Sequence, residues 1–323
     1  MNNRLKIFQY LLVLSLIVIL NFIIPRAMPG DPFLFLSSDV SETTTIYTQE
    51  QIDKYKAYYG LDKPITEQFK NYIKKLFKGD LGFSIYYKKP TTEILLSRAP
   101  WTIGITIISL LISVLLGVIV GSISAYFRDS FFDKIIYPLN VFLSEIPSFL
   151  IAILLLFLVA AKSDIFPLSG GITVFKEFST PWEKILDIIR HGFLPVMALT
   201  LSTVGRFYLL ARNSMISVIS KKYMTTARGK GLKKWRIILV HGMKNALLPV
   251  ITRLFMSLGG VLSGAILVEN VFNYPGVGRL MREAVMHRDY VLIQGIFLLV
   301  AILVLSSNYL ADVFYRKVDP RVR

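Results

Sequence analysis

"WTIGITIISLLISVLLGVIVGSISAYF", residues 101–127, contains no charged side chain in 27 positions. A bilayer core takes roughly 20 apolar residues of helix, and this run is too long for a strand or a helix buried in a globular domain. It reads as a membrane span. Working outward, residues 135–161 carry Glu145 as their only charge and residues 291–311 carry none. Three weaker runs complete the set. Residues 7–24 are broken only by Gln9 and Asn21, residues 193–219 by Arg206 and Arg212, and residues 249–268 by Arg253. The pattern predicts an all-α polytopic membrane protein with six transmembrane helices. Arg4 and Lys6 precede the first run as they would in a signal peptide. The run is long for such a peptide, however, and no small-x-small cleavage site follows, so an uncleaved span is expected.

The formal charge of +16 would suggest a nucleic-acid partner in a soluble protein. Position assigns it differently. With six spans, one set of ends comprises 1–6, 128–134, 212–245 and 316–323; it holds 17 Lys/Arg and only Asp129, Asp133 and Asp319 as acids. The short loops on the opposite side, 163–192 and 271–290, hold six of each sign. Basic residues in short loops mark the cytoplasmic side, so both termini are expected in the cytoplasm of a multi-pass plasma-membrane protein in contact with lipid, with no nucleic acid. Residues 27–99 mix ten basic with nine acidic residues. They are too long to set orientation and read as a folded external insertion between the first two spans. The absence of cysteine excludes disulfides and thiol chemistry.

Local signals fill in the external parts. Thr48–Gln51 forms a capping box, and Gly60 is placed to stop that helix. Phe69, Tyr72, Ile73, Leu76 and Phe77 follow helical spacing, with Gly79 after them. "DLGFSIYYKKP", 80–90, reads as extended. Thr180-Pro-Trp-Glu183 starts a helix whose stripe is Trp182, Ile185, Leu186 and Ile189, expected to lie in the interface. Charges at mid-membrane cost roughly 2.5–3.5 kcal/mol on insertion scales. Glu145 and Arg206 are each about midway along their runs, so they are expected either as an ion pair that fixes helix packing or as polar points on a translocation path. Pro147 should weaken its helix. Gly117-x-x-x-Gly121 and Gly260-x-x-x-Gly264 permit close helix approach.

No catalytic motif is present. His191, His241 and His287 are far apart, and no metal-binding, nucleophile-elbow or phosphate-loop pattern occurs. The chain is therefore not read as an enzyme, and it binds no metal or other cofactor by any recognisable motif. A carrier driven by protons or sodium usually shows several intramembrane acids and an internal repeat. Here there is one such acid and no convincing repeat, so a separate energy source is expected. The stretch "YMTTARGKGLKKWRIILVHGMKNALLPV", 223–250, has six Lys/Arg and no acid. Leu232, Trp235, Ile238, Leu239 and Met243 fall on one helical face, and Gly229 and Gly231 break the stretch into two short helices. A basic helix–turn–helix between two spans suits docking into a partner's groove.

That stretch resembles the cytoplasmic EAA loop of ATP-binding-cassette importer permeases, in the form used by the oligopeptide/dipeptide/nickel branch. "MPGDP" (28–32), "YGLDKPITEQF" (59–69), "GDLGFS" (79–84), "IPSF" (146–149), "NVFNYPGVGRL" (270–280), "RDYVLIQG" (288–295) and "DPRVR" (319–323) resemble the first permease of that branch, in order along nearly the whole chain. Thr225 stands where the general triplet has Glu, which is usual for this branch; Glu145 and Arg253 stand where uncharged residues are expected. The resemblance implies the type I importer permease fold. Its parts are a tail and first span (1–26), an external insertion (27–99) and a five-helix core (100–323) with the coupling loop at 220–249. It implies a second homologous permease, an extracytoplasmic substrate-binding protein, and two ATPase subunits that hold the ATP and magnesium. Thr225, Ala227, Arg228, Gly231, Leu232 and Trp235 would form the ATPase-docking core. Peptides are the implied cargo; nickel or a metal chelate is the alternative within the branch, and a self-contained carrier or channel, or a structural or enzymatic membrane protein, the alternative outside it.

Overall fold

A computed structural model describes residues 3–27, 50, 53–54 and 62–318. Among the described residues the regular structure is helical, with a single isolated bridge between Phe83 and Pro90. The helices are α1 (Asn3–Ala27), α2 (Ile65–Phe77), α3 (Thr91–Tyr126), α4 (Phe131–Glu145), α5 (Ser148–Leu158), α6 (Pro181–Ile219), α7 (Lys222–Gly229), α8 (Met243–Val271), α9 (Val277–Met286) and α10 (Tyr290–Val318). Within α3, α6, α8 and α10 lie four segments long and apolar enough to cross a bilayer, and α4 with α5 makes a fifth as a broken pair. The 25-residue α1 carries a shorter apolar stretch, Phe8–Ile24. All six apolar runs of the sequence therefore fall on helices.

Two expectations about the spans need correction. The third run is not one straight span, because the chain bends by 105° between Phe131–Glu145 and Ser148–Lys162. Pro147 is the cause: it has no N–H to continue the helix, and its ring drives Ile146 into the extended region at φ −79°, ψ 123°. The helix starting at Pro181 is not a separate interfacial element either. It runs on through the fourth span as one 39-residue helix. Its start is as expected, with the Glu183 N–H donating to Thr180 Oγ1 at 3.2 Å and the Ser179 N–H donating to Glu183 Oε2 at 3.1 Å. The stripe of Trp182, Ile185, Leu186 and Ile189 is exposed. The Thr48 cap and the Gly60 stop lie outside the described residues, as do the 28–32 and 319–323 motifs.

The chain divides into two compact units, Met1–Pro100 with Arg279–Leu305, and Trp101–Gly278 with Ser306–Arg323. In the first, α2 lays Phe69 and Tyr72 on Phe22 of α1, with ring centroids 5.0 and 5.7 Å apart. Asn21 of α1 donates to the Tyr72 hydroxyl at 3.2 Å and to the Gln294 carbonyl at 2.8 Å. Gly79 ends α2 at φ +72°, a conformation that favours glycine. Residues 80–90 turn back on themselves instead of extending throughout. The Ser84 N–H donates to the Lys89 carbonyl at 2.9 Å and the Thr91 N–H to the Gly82 carbonyl at 3.0 Å. Asp289 caps α10 through the Leu292 N–H at 3.0 Å and also accepts from Ser84 Oγ at 2.5 Å and the Tyr86 N–H at 3.1 Å.

In the second unit α6 is the hub, packing against α4, α5 and α8. Leu199 and Phe207 of α6, Ile151 and Ala152 of α5, and Ala265 and Val268 of α8 share one apolar core. The glycines set the spacing. A Cβ on Gly117 of α3 would meet Phe207 Cβ at 2.7 Å, and one on Gly121 would meet the Tyr208 carbonyl oxygen at 2.6 Å. These are approaches that only glycine allows. The second glycine pair is looser: Gly264 approaches Ser148, while Gly260 has open space. Past α8 the chain folds back over the buried Glu269, whose Oε2 accepts the Gly278 N–H at 2.6 Å.

Candidate functional site

The basic stretch forms α7, a turn at Gly231, a single helical turn at Lys234–Arg236, a wide π turn at Ile237–Gly242, and the start of α8. Gly231 sits at φ +66°, where any side chain would be strained. The stretch has an inner and an outer side. On the inner side Met224, Ile237 and Ile238 are buried with Met215 and Val218 of α6 and Ala246 of α8, and Leu232 closes the edge. A Cβ on Gly242 would lie 2.2 Å from the Met215 methyl, so glycine lets the π turn sit directly on α6. On the outer side Thr225, Gly229, Gly231 and Trp235 are exposed, Trp235 by 58%. The side chains of Ala227 and Arg228 lie outside the described set. The single apolar face expected from spacing is therefore split. A π turn adds a residue per turn and swings Ile237 and Ile238 inward while Trp235, just before it, stays out.

Beneath this contact lies a polar network that the sequence reading did not pair. Tyr208, Arg212 and Met215 are spaced i, i+4, i+7 and share one face of α6. Arg212 grips Asp133 of α4 through two hydrogen bonds, Nε to Oδ1 at 3.0 Å and Nη2 to Oδ2 at 2.8 Å. Ser124 of α3 donates to Asp133 Oδ1, and its hydroxyl is 2.6 Å from that of Tyr208. The Asp129 N–H donates to Asp133 Oδ2 at 3.2 Å, and the Asp133 N–H donates to Ser130 Oγ at 3.3 Å, the N-cap of α4. The Arg212 guanidinium also stands 4.7 Å from the Tyr137 ring centroid. Asp133, only 4% exposed, thus has its charge met by a two-pronged cation and further donors, the arrangement that offsets desolvation best. The sequence held one clue, Ser130-x-x-Asp133, which resembles a capping box.

Glu145 and Arg206 are not joined by an ion pair. Both are exposed, and the nearest polar contact of Glu145 is the Ser144 hydroxyl, at 3.3 Å. Gly205 explains why. It faces α4 so closely that a Cβ would lie 2.2 Å from the Asn140 carbonyl oxygen. One residue further along a helix is a rotation of about 100°, which carries Arg206 off the α4 contact. Glu145 ends α4 at the Pro147 break. Arg253, on α8, is exposed as well.

Residues 113–323 match the family model described as "Binding-protein-dependent transport system inner membrane component". The chain belongs to this family. Its all-helical fold is that of the type I importer permeases. Among curated proteins, the permease is 32% identical over 323 residues to the dipeptide transport system permease protein DppB of Escherichia coli (strain K12), covering 95% of this chain and 94% of the relative. It is 30% identical over 318 residues to a protein of Brucella abortus (strain 2308) that carries the name of a peptide transport system permease, covering 98% and 97%. The family is one of transport permeases in the inner membrane, which accords with a chain that is not itself an enzyme.

Proposed function

We propose that this permease is one half of the membrane path of an ATP-driven peptide importer. A second homologous permease supplies the other half, an external binding protein delivers the cargo, and two ATPase subunits dock from the cytoplasm, where both termini lie. Peptide cargo rests on the names of the relatives, whose alignments run nearly end to end. Docking rests on the loop at 222–242. Thr225, Gly231 and Trp235 present an outer surface, while Met224, Ile237 and Ile238 are fixed to α6 and α8. This two-sided loop carries the reading. A push on its outer side passes to Met215 and Val218, then through the Arg212–Asp133 grip to α4, which ends at the Pro147 break. A broken helix that rests in two discrete arrangements is the kind of element a partner can bias.

Glu145, Arg206 and Arg253 support the second half-path. Three exposed charges on membrane helices are costly against lipid and tolerable against water or a partner. Glu145 and Arg206 are accordingly assigned to the translocation path. The test is ATP-driven peptide uptake by the reconstituted complex. Trp235→Ala is expected to insert normally and to lose ATPase association or uptake, whereas Trp182→Ala, on the other exposed stripe, is expected to be far milder. Unchanged uptake in Trp235→Ala and Gly231→Arg together would reject the docking assignment. Uptake by this chain alone would reject the need for partners.

A further inference from the structure

The first unit holds a cavity of about 860 Å³ among α1, α2, the 80–90 turn and α10. Its polar wall is cationic. Arg26, Lys63, Lys74, Lys75 and Lys78 line it, with Asp80 as the acid among the lining residues. Asp80 is already engaged by the Gly82 N–H at 2.8 Å, and Lys63 is neutralised by Glu67 at 2.6 Å. Among the described residues, Arg26 is held in place without a carboxylate. Its Nε donates to Gln68 Oε1 at 3.0 Å, its Nη1 donates to the Phe22 carbonyl at 3.0 Å, and its guanidinium lies 3.7 Å from the Phe22 ring centroid. A second observation points the same way. Gln294 lines the cavity, is only 8% exposed, and has no hydrogen-bond partner for its Nε2 among the described residues. A buried donor without a partner is costly; this Nε2 is closed to solvent as the side chain stands, so it meets an acceptor from outside the chain only when the amide turns toward the cavity.

Beyond these cations and the polar side chains of Gln68, Asn71 and Tyr72, the lining is mainly apolar and follows a membrane helix. Val291, Gln294, Gly295 and Leu298 occupy one face of α10 at i, i+3, i+4, i+7, a rise of about 10 Å. Leu81 and Phe83 extend this surface. A cationic mouth at the end of α1 that leads to an apolar groove along a spanning helix matches one ligand class.

We infer that this cavity binds an anionic phospholipid, with the phosphate at Arg26 and Gln294 and an acyl chain along Val291 and Leu298. Lys74, Lys75 and Lys78 add the field that selects a net negative headgroup, about fivefold in retention per cation at the surface. The site tethers α2 to lipid beside α1 and α10. Asn21, a polar interruption in the first apolar run, thereby acquires a role: it ties α2 and α10 together behind the site.

Native mass spectrometry of the full-length chain tests this, with nanodiscs of phosphatidylglycerol, nanodiscs of phosphatidylcholine, and inorganic phosphate alone. One retained phosphatidylglycerol is expected, about a hundredfold over phosphatidylcholine, the combined effect of three such cations. Arg26→Gln is expected to cut that retention at least about fivefold. Because Arg26 also holds Gln68, the triple variant Lys74→Gln/Lys75→Gln/Lys78→Gln, on exposed positions, is the second arm, and it should erase the preference for the anionic lipid while leaving melting unchanged. Equal retention of the two lipids, retention unaffected by both variants, or binding of free phosphate without lipid would each overturn the assignment. None of these readouts depends on uptake.

Discussion

Two sets of charges on membrane helices of the second unit have opposite fates. Asp133 and Arg212 are buried, face each other in two-pronged geometry, and are surrounded by Ser124, Tyr208 and Tyr137. Glu145, Arg206 and Arg253 are exposed, and no ion pair joins Glu145 to Arg206. The cost of a charge in a low-dielectric setting is the same in kind for both sets. The first set meets it within the chain. The second leaves it to be met by water or by another subunit. The contrast separates the face that packs within the chain from one that does not, more cleanly than hydrophobicity does.

The strongest way to break that contrast is to strip the satisfied pair of one partner. Arg212→Ala leaves a buried carboxylate without its cation, and a loss of about 3–5 kcal/mol is expected, read as a fall in thermal stability of the purified permease. Asp133→Asn/Arg212→Met, which removes both charges, should recover much of it. If the single and double variants melt alike, the pair is not the unit of stability. Gly205→Ala comes next. Its new methyl would press on the Asn140 carbonyl at a contact that now has no room, and overpacking of this kind costs about 1–3 kcal/mol. The neighbouring Arg206→Ala should cost far less, because one residue faces α4 and the next does not. Equal losses at 205 and 206 would erase the distinction between the two faces.

Much of the fold was legible in the sequence, because apolar run length and glycine spacing report directly on spans and close contacts. The 101–127 run, the 291–311 run, the Gly79 stop and the Thr180 start all appear as read. What escaped depended on rotation or on distant pairing. Depth matching suggested Glu145 with Arg206, but depth says nothing of azimuth, and Gly205 sets the azimuth. By apolar run length, Asp133 falls in a loop and Arg212 at the junction of a span and a loop, where sequence gives a charge no partner. Their pairing spans 79 residues and leaves no local periodicity to read. The π turn at Ile237–Gly242 likewise rotates the apolar face of the basic loop in a way that 3.6-residue spacing cannot anticipate.

Asp289, in the first unit, supplies a third kind of charge. It is fully buried but receives only hydroxyl and N–H donors, from Ser84, Tyr86 and Leu292, and no ion pair joins it among the described residues. Burial pushes its carboxyl above the ordinary aspartate value despite those donors. The folded chain therefore holds a proton that the unfolded chain releases above about pH 4, and this group's contribution to stability falls as pH rises through that window. Asp289→Asn should remove the pH dependence at a cost of about 1 kcal/mol, because the amide accepts one bond fewer. Melting curves from about pH 4 to 7 check it: wild type should lose ground to the variant as pH rises. A parallel pair of curves would mean that the donors outweigh burial.

The smallest stability effect is expected where the functional effect should be largest. Glu145→Gln and Arg206→Gln change charges that no ion pair meets among the described residues, so each should shift stability by no more than about 0.5 kcal/mol. The sign discriminates between surroundings. If these side chains faced lipid, neutralising one would stabilise the membrane-embedded permease by roughly 2.5–3.5 kcal/mol on insertion scales. If they face a wet path or a second permease, melting stays put while ATP-driven uptake by the assembled complex drops. Unchanged melting with unchanged uptake would leave these residues without a role on the path, and a large stabilisation would turn the exposed face toward lipid. Either result would shift attention to Arg253 and the Pro147 break as the features that line the route.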